Sequence, residues 1–242
     1  MTEQSWDRVP IDAQSIAAPL SKSAIFLVLT VVDGDAALAK VRDTLGSLDD
    51  LIKTVGFRDL DARLSCIVAL GSALWDRLRP KGKPAELKPF AAIDGGKHKA
   101  PSTPGDMLFH IRAEREDFCF EMEKLLLANL GDAVTVADEV FGFRYFDARD
   151  LLGFVDGTAN PTGQEIPVAA MVGVEDPDFA GGSYVVVQKY LHDMTAWNRV
   201  GDDEQAVIMG RKKVENIELD DAPADAQKSH KTLNTIVDDK GV

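Results

Sequence analysis

The strongest structural signal in this chain is the run Ala24-Ile25-Phe26-Leu27-Val28-Leu29-Thr30-Val31-Val32. Apolar and β-branched residues fill it, and it ends at Asp33-Gly34-Asp35, a combination typical of a turn. Continuous apolar character over this length predicts a buried β-strand that closes in a turn.

Working outward, the rest of the first half alternates helical and strand-like patterns. Leu38, Val41, Leu45 and Leu48 share one stripe of a helix predicted over 36–51, with Asp35 as its N-cap. The other predicted elements are a strand over 64–70, a helix beginning at 72–78, a long connection over 79–103, a strand over 107–112, a helix over 115–130 ended by Gly131, and a strand over 134–146. The order strand, helix, strand, strand, helix, strand indicates an α+β fold of the ferredoxin-like type.

The second half begins the same pattern again. Ser183 to Tyr190 predicts a strand, 194–199 and 203–209 predict helices, and 231–237 predicts an edge strand. The repeated pattern predicts a duplicated arrangement with antiparallel sheets, divided into residues 1–150 and 151–242.

Composition excludes several classes of function. The chain has 242 residues, 45% of them hydrophobic, and 27 basic against 40 acidic residues give a formal net charge of −13. Its basic clusters are too short to follow a phosphate backbone, so nucleic acid is not an expected partner. No stretch is long and apolar enough to predict a membrane span.

The two cysteines, Cys66 and Cys119, each lie in an apolar stretch, which predicts buried thiols and no disulfide. The first residues are acidic and lead into no apolar segment, so we expect no signal peptide and a cytoplasmic location. No two histidines have the spacing of a zinc or non-haem iron site.

The candidate chemistry lies in Gly153-Phe154-Val155-Asp156-Gly157-Thr158. Two glycines bracket a tight turn whose backbone could approach a flat ligand closely, and apolar surroundings would favour the protonated form of the Asp156 carboxylic acid. Asp156 is therefore a candidate proton carrier. A surface turn built on Asp-Gly-Thr is the alternative that residue types alone leave open.

Two longer blocks and one histidine resemble the dye-decolourising haem peroxidases, in their cytoplasmic Gly-x-x-Asp-Gly branch. The first block runs from Phe141 to Thr158 and contains the Gly-x-x-Asp-Gly core, and the second runs from Ala100 to Ala113. Ser229-His230 lies close to where that family carries its axial histidine.

The resemblance implies two ferredoxin-like halves, the second of them incomplete in this sequence, and a binding site for haem b in the second half. It makes His230 the iron ligand, Arg211 a contact of a haem propionate, and Gly157 and Thr158 further cofactor contacts. Residue types alone are also typical of an exposed histidine at position 230 and of a solvated basic cluster at 211–213. His98, His110 and His192 are weaker candidates for a ligand.

The activity implied is that of a haem peroxidase. Such an enzyme reduces hydrogen peroxide, with Asp156 moving a proton between its oxygens, and oxidises dyes, phenols or other aromatic electron donors through a ferryl intermediate. Family members form homo-oligomers, and an encapsulating protein shell is a further implied partner.

The resemblance also predicts a distal arginine downstream of the axial histidine. The sequence has no position matching it, because Val242 follows soon after His230. We therefore expect a fragment of a longer protein, a truncated relative, or a protein whose partner supplies the missing part. This departure supports an alternative function, a haem-binding or haem-handling protein with little peroxidase turnover.

Overall fold

The computed structural model describes residues 14–79, 82–221, 223 and 225–235. These residues form two compact units. The first, the sheet unit, contains the described residues of Met1–Phe143 together with Pro161–Val186, and the second, the loop unit, contains Arg144–Asn160 and the described residues of Val187–Val242. The predicted division after residue 150 stays a prediction.

A four-stranded antiparallel sheet forms the centre of the sheet unit. Its strands, in the order β2-β5-β1-β6, are β1 (Ser23–Val31), β2 (Ser65–Leu70), β5 (Met107–Ala113) and β6 (Val134–Phe143). The first strand pairs with both β5 and β6, so the run that gave the strongest sequence signal lies inside the sheet. This arrangement confirms the predicted α+β class and the ferredoxin-like order of elements in the first half.

Helices cover one face of this sheet. They are α1 (Asp35–Gly46), α2 (Leu48–Gly56), α3 (Ser72–Leu78) and α4 (Glu116–Leu130). Alternate residues of the strands, such as Leu27 and Phe109, are fully buried beneath the helices, with Met122 and Leu126 of α4 in the same core. The apolar face of the sheet and the apolar faces of the helices therefore pack together in one core layer.

Two details of the first helical region differ from the prediction. The single helix expected over 36–51 is interrupted at Ser47, whose hydroxyl donates to the carbonyls of Asp43 and Thr44 and ends α1. The N-cap of α1 is Gly34 at φ 111°, and Asp35 is the first helical residue, so its prediction as the cap was wrong. As an acidic residue in the first turn, Asp35 still interacts favourably with the helix dipole and stabilises α1.

The remaining elements of the sheet unit are short. The connection after α3 carries a two-residue strand pair, β3 (Ile93–Asp94) with β4 (Lys99–Ala100). Helix α5 (Ile166–Ala170) belongs to the segment 161–186, which is fastened to the connection by backbone donors of Ala85 and Glu86. Asp176 and Tyr184 accept these hydrogen bonds at 2.8 and 3.0 Å.

The loop unit has no extended sheet among its described residues. It contains α6 (Met194–Trp197), α7 (Asp202–Met209) and α8 (His230–Asn234), with single antiparallel bridges joining Arg149 to Val155 and Arg211 to Glu218.

Both strands predicted for the second half were wrong in the described residues. Ser183 to Tyr190 is not assigned to a strand, because a strand requires ladder pairing with a neighbouring strand and no such pairing includes this segment in the described part of the chain. The predicted edge strand over 231–237 is instead helix α8, which Ser229 caps, while residues 236 and 237 lie outside the described part of the chain.

Cys66 and Cys119 are buried and free, as predicted. Burial raises the pKa of each thiol to about 12, so both are inert thiols in the core. Among the helices of the described residues, none is long and apolar enough to cross a membrane.

Candidate functional site

All predicted site residues lie in the loop unit. Asp156 ends a small hairpin in which its backbone N–H donates to the carbonyl of Ala148 at 3.0 Å. Asp150 closes the turn twice, because its N–H donates to the Phe154 carbonyl and its carboxylate accepts from the Phe154 N–H, each at 2.9 Å. The hairpin thus fixes the backbone on both sides of the candidate acid.

The side chain of Asp156 is exposed. Its Oδ1 accepts from the N–H of Gly157 at 2.7 Å, and Oδ2 makes no hydrogen bond to another described residue. The apolar surroundings predicted for this acid are not formed by its neighbours, since Phe154 is buried elsewhere, with its ring edge-on to Trp197 at 6.3 Å between centroids.

The two glycines of the motif adopt positive φ angles that other residues rarely take. Gly153 has φ 97°, and a Cβ there would lie 2.5 Å from Cε of Lys213. Gly157 has φ 70°, and a Cβ there would lie 2.9 Å from the Asn160 amide. The close approach predicted toward a flat ligand is therefore, at Gly153, an approach by a lysine side chain of the same unit.

Arg149 is a positioning residue that the sequence analysis did not identify. Its guanidinium donates to the carbonyl oxygens of Gly153 at 2.9 Å, of Lys213 at 2.5 Å and of Val214 at 3.4 Å. One side chain thereby ties the hairpin that carries Asp156 to the segment that follows α7. The sequence feature that could have identified Arg149 is an arginine next to a glycine-rich turn, because a guanidinium has enough donors to satisfy several carbonyls at once.

A buried polar group supports the same junction. Gln205 of α7 is only 2% exposed, and its amide oxygen accepts from the Lys213 ammonium at 2.6 Å. Its amide nitrogen donates to the carbonyls of Trp197 and Val200 at 2.9 and 3.0 Å. Both ends of the Gln205 amide are satisfied, which makes its burial tolerable.

Arg211 begins a tight turn directly after α7. Its guanidinium donates to the backbone and side-chain oxygens of Asn216 at 2.8 and 3.2 Å, and it pairs with Glu218 at 3.3 Å. Part of its hydrogen-bonding capacity is therefore used within the turn.

His230 is the first residue of α8, and its side chain is exposed. The cap of this helix is Ser229, whose hydroxyl accepts from the N–H of Thr232 at 3.2 Å. The imidazole Nδ1 lies 3.2 Å from the side-chain amide of Asn234, whereas Nε2 has no hydrogen bond to any described residue. Nε2 is thus the accessible nitrogen.

The structure brings Arg211 and His230 into neighbouring segments. A Cβ on Gly210 would lie 2.7 Å from the hydroxyl of Ser229, so the end of α7 packs directly against the start of α8. Lys231 strengthens this contact by donating to the Leu219 carbonyl at 3.0 Å and pairing with Glu218 and Asp221. Asp156 is joined to the same region through Arg149.

These residues fit a haem group in three respects. His230 presents an unpaired ring nitrogen, and no group of three or more histidine, cysteine or acidic side chains in the described residues could hold a bare metal ion. Leu233, one turn after His230 and 67% exposed, supplies apolar surface beside the imidazole. Arg211 supplies positive charge nearby. Gly157 and Thr158 are exposed beside Asp156.

Comparison with known families matches nearly the whole chain. Residues 13–144 match the family described as "Dyp-type peroxidase, N-terminal", and residues 147–242 match "Dyp-type peroxidase, C-terminal". A dye-decolorizing peroxidase of Mycolicibacterium paratuberculosis is 53% identical over 234 residues, which cover 96% of this chain and 65% of that protein. The chain therefore spans about two thirds of this relative's length.

Solved structures of DyP-type peroxidases are also similar to this chain. DyPB from Rhodococcus jostii RHA1 superposes with a TM-score of 0.90 at 55% identity, covering 95% of this chain and 73% of that one, and a variant of it was solved in complex with heme. The encapsulated DyP-type peroxidase from Mycobacterium smegmatis gives a TM-score of 0.89 at 52% identity, covering 95% and 73%. Since both family descriptions match in order along the sequence, the chain belongs to the Dyp-type peroxidase family.

Proposed function

We propose that this protein is a haem-dependent peroxidase that reduces hydrogen peroxide and oxidises dyes, phenols or other aromatic electron donors. The observation that carries the proposal is the exposed imidazole of His230, whose Nε2 is unpaired among the described residues. Family membership supports haem b as the cofactor, since a DyPB variant was solved in complex with heme.

His230 would hold the haem iron through Nε2, and Arg211 would contact a propionate. The Asn216 and Glu218 contacts of Arg211 orient its guanidinium, and the side chain still has donors to spare because guanidinium carries five N–H groups. Gly157 and Thr158 would complete the cofactor contacts beside Asp156. When bound, haem supplies a redox centre that takes oxidising equivalents from peroxide and passes them to electron donors.

Asp156 would move the proton. Its Oδ1 is held by the N–H of Gly157, so Oδ2 is the atom that takes a proton from one peroxide oxygen and returns it to the other. The hydrogen bonds of Arg149 keep the hairpin carrying Asp156 in place while the carboxylate changes its charge.

The cofactor assignment is tested by adding haem to the purified protein and recording the absorption band of ligated haem. His230→Ala is expected to abolish that band, and His192→Ala is the matched control because His192 is an exposed histidine of the same unit. An unchanged band in His230→Ala would remove this histidine from the proposed role.

The catalytic assignment is tested by peroxide-dependent oxidation of an anthraquinone dye. Asp156→Asn is expected to lower the rate by about 10²- to 10⁴-fold, the usual contribution of a general acid–base group. Asp147→Asn is the control, since Asp147 is exposed in the same segment and its φ of 55° suits asparagine equally. Equal rates in wild type and Asp156→Asn would contradict the assignment.

The same two measurements, the haem band and dye oxidation, distinguish a peroxidase from the alternative function of haem binding or handling with little turnover. A normal haem band without dye oxidation in the wild type would favour it.

We further propose a cytoplasmic homo-oligomer with halves at 1–150 and 151–242, carried in a protein shell. The encapsulated relative from Mycobacterium smegmatis supports the shell, and exposed Phe141 and Phe143 on β6 support self-association. Native mass spectrometry, alone and after co-expression with a shell protein, tests both; a monomer excluded from the shell would contradict them.

A further inference from the structure

The first turn of α8 is held firmly on its own side of the loop unit. Ser229 caps it and packs against Gly210, and the Lys231 ammonium binds the Leu219 carbonyl. Only the side chains of His230, Leu233 and Asn234 extend from this helix into exposed positions. In the part of the chain that the structure describes, the side chain that hydrogen-bonds the imidazole is that of Asn234, so the orientation of the ring depends on it.

The carboxamide of Asn234 makes two contacts with the same residue. Its nitrogen lies 2.8 Å from the backbone carbonyl oxygen of His230 and 3.2 Å from the imidazole Nδ1. A carbonyl oxygen can only accept a hydrogen bond, so the first contact fixes which end of the amide is nitrogen. The second contact then has a donor facing Nδ1.

This donor decides which ring nitrogen carries the proton. Because an amide nitrogen cannot accept, Nδ1 must be the acceptor, and a neutral imidazole then has its proton on Nε2. A metal binds the lone pair of an unprotonated ring nitrogen. The exposed Nε2 is consequently in the wrong tautomer for a ligand while Asn234 keeps this orientation.

We infer that Asn234 is a positioning residue that holds His230 in the Nε2–H tautomer until the iron ligand is required. Ligation moves the single proton from Nε2 to Nδ1 through solvent, with no net gain or loss. Asn234 must then rotate its amide so that Oδ1 accepts from Nδ1–H, and it gives up the bond to the His230 carbonyl. The link to iron rests on the proposed function, whereas the tautomer does not.

Two variants separate the contributions of the amide. Asn234→Asp supplies only acceptor oxygens, so it stabilises the Nδ1–H tautomer in advance. Asn234→Leu has a similar shape and no hydrogen-bonding group, so it leaves the tautomer to the intrinsic preference of imidazole. Asn234 is exposed at the end of a helix, which favours folding of both variants.

The direct test is nitrogen-15 NMR of the imidazole in the haem-free protein at about pH 8. We expect the Nε2–H tautomer in the wild type, a return to the free-imidazole mixture in Asn234→Leu, and the Nδ1–H tautomer in Asn234→Asp. The His192 signals serve as the internal control and stay unchanged. Identical His230 tautomers in the wild type and Asn234→Leu would overturn the inference.

A second measurement is the equilibrium affinity for haem. Outer partners of metal ligands commonly change affinity by about 10- to 100-fold. We expect Asn234→Asp to bind about tenfold more tightly than the wild type, with Asn234→Leu between them. If the wild type has the expected tautomer but binds no haem through His230, the proposed function fails and the assignment of Asn234 stands. Equal haem affinities in all three proteins would refute the coupling of Asn234 to ligation.

Discussion

The two units of this chain are stabilised by different forces. In the sheet unit, four paired strands and the helices above them enclose a continuous apolar core. In the loop unit, Phe154 and Ala206 are the buried apolar residues among those described, and charged or amide side chains hold the segments together.

The difference teaches how structural roles are divided. Burial of apolar surface is non-directional and tolerates many sequences, whereas hydrogen bonds from Arg149 and Gln205 specify particular atoms. Residues proposed to carry the chemistry lie in the unit whose geometry is set by directional contacts. We expect that unit to open more readily, because it has little buried apolar area to lose.

The largest effect is expected from a cavity in the sheet unit. Phe109 is fully buried between β1 and β2, so Phe109→Ala should lower the free energy of unfolding by about 3 to 5 kcal/mol. Chemical denaturation followed by circular dichroism measures it. The control is Phe120→Ala, because Phe120 is 56% exposed on α4 and its loss should change stability little. Similar losses in both variants would erase the distinction drawn between core and surface.

An intermediate effect, confined to the loop unit, is expected from Arg149→Met. Removing the guanidinium leaves the carbonyls of Gly153 and Lys213 without their charged donor, at a cost of about 2 kcal/mol. Hydrogen exchange at the amides of Phe154 and Asp156 should then accelerate about 30-fold, while exchange in β1 stays unchanged.

Arg58→Met is the matched control, since the Arg58 guanidinium of the sheet unit lies over the Phe57 ring and makes no side-chain hydrogen bond among the described residues. If Arg149→Met also accelerated exchange throughout β1, the two units would not open independently and the comparison would fail.

The smallest effect is a pH dependence inside the sheet unit. Burial, and then the nearby Glu139, raise the pKa of Glu123 to about 7. The folded state therefore holds a proton that the unfolded state loses near its ordinary pKa of 4.5, so this residue's contribution to stability falls as pH rises from about 4.5 to 7. Glu123→Gln should remove that slope and stabilise the protein at alkaline pH, as measured by denaturation at a series of pH values.

His110 provides an opposing control. Burial and the nearby Arg112 lower the pKa of His110 to about 4, so the unfolded state binds more protons between about 4 and 6.5 and stability rises with pH there. His110→Phe, which keeps a ring against Phe26, should remove this rising slope. If Glu123→Gln and His110→Phe changed the slope of stability against pH in the same direction, the assignment would be contradicted.

Local sequence was sufficient to predict most of the sheet unit. The runs at β1, β2 and β5 and the helix α4 with its terminal Gly131 lie within a few residues of their predicted bounds. Periodicity works there because each element buries one face, and the spacing of apolar residues records that face directly. It failed at Ser183 to Tyr190, where β-branched residues signal a preference but only a neighbouring strand completes the hydrogen bonding.

The sequence by itself determined the α+β class, the strands of the first half and the residues Asp156, Gly157, Thr158, Arg211 and His230 as the proposed site. Tertiary structure decided that Gly153 accommodates Lys213, that Arg149 joins two distant segments, and that Asn234 faces Nδ1 of His230. The physical reason is range: a propensity or a motif is encoded in neighbouring residues, whereas the atom that a donor reaches depends on how the whole unit is folded.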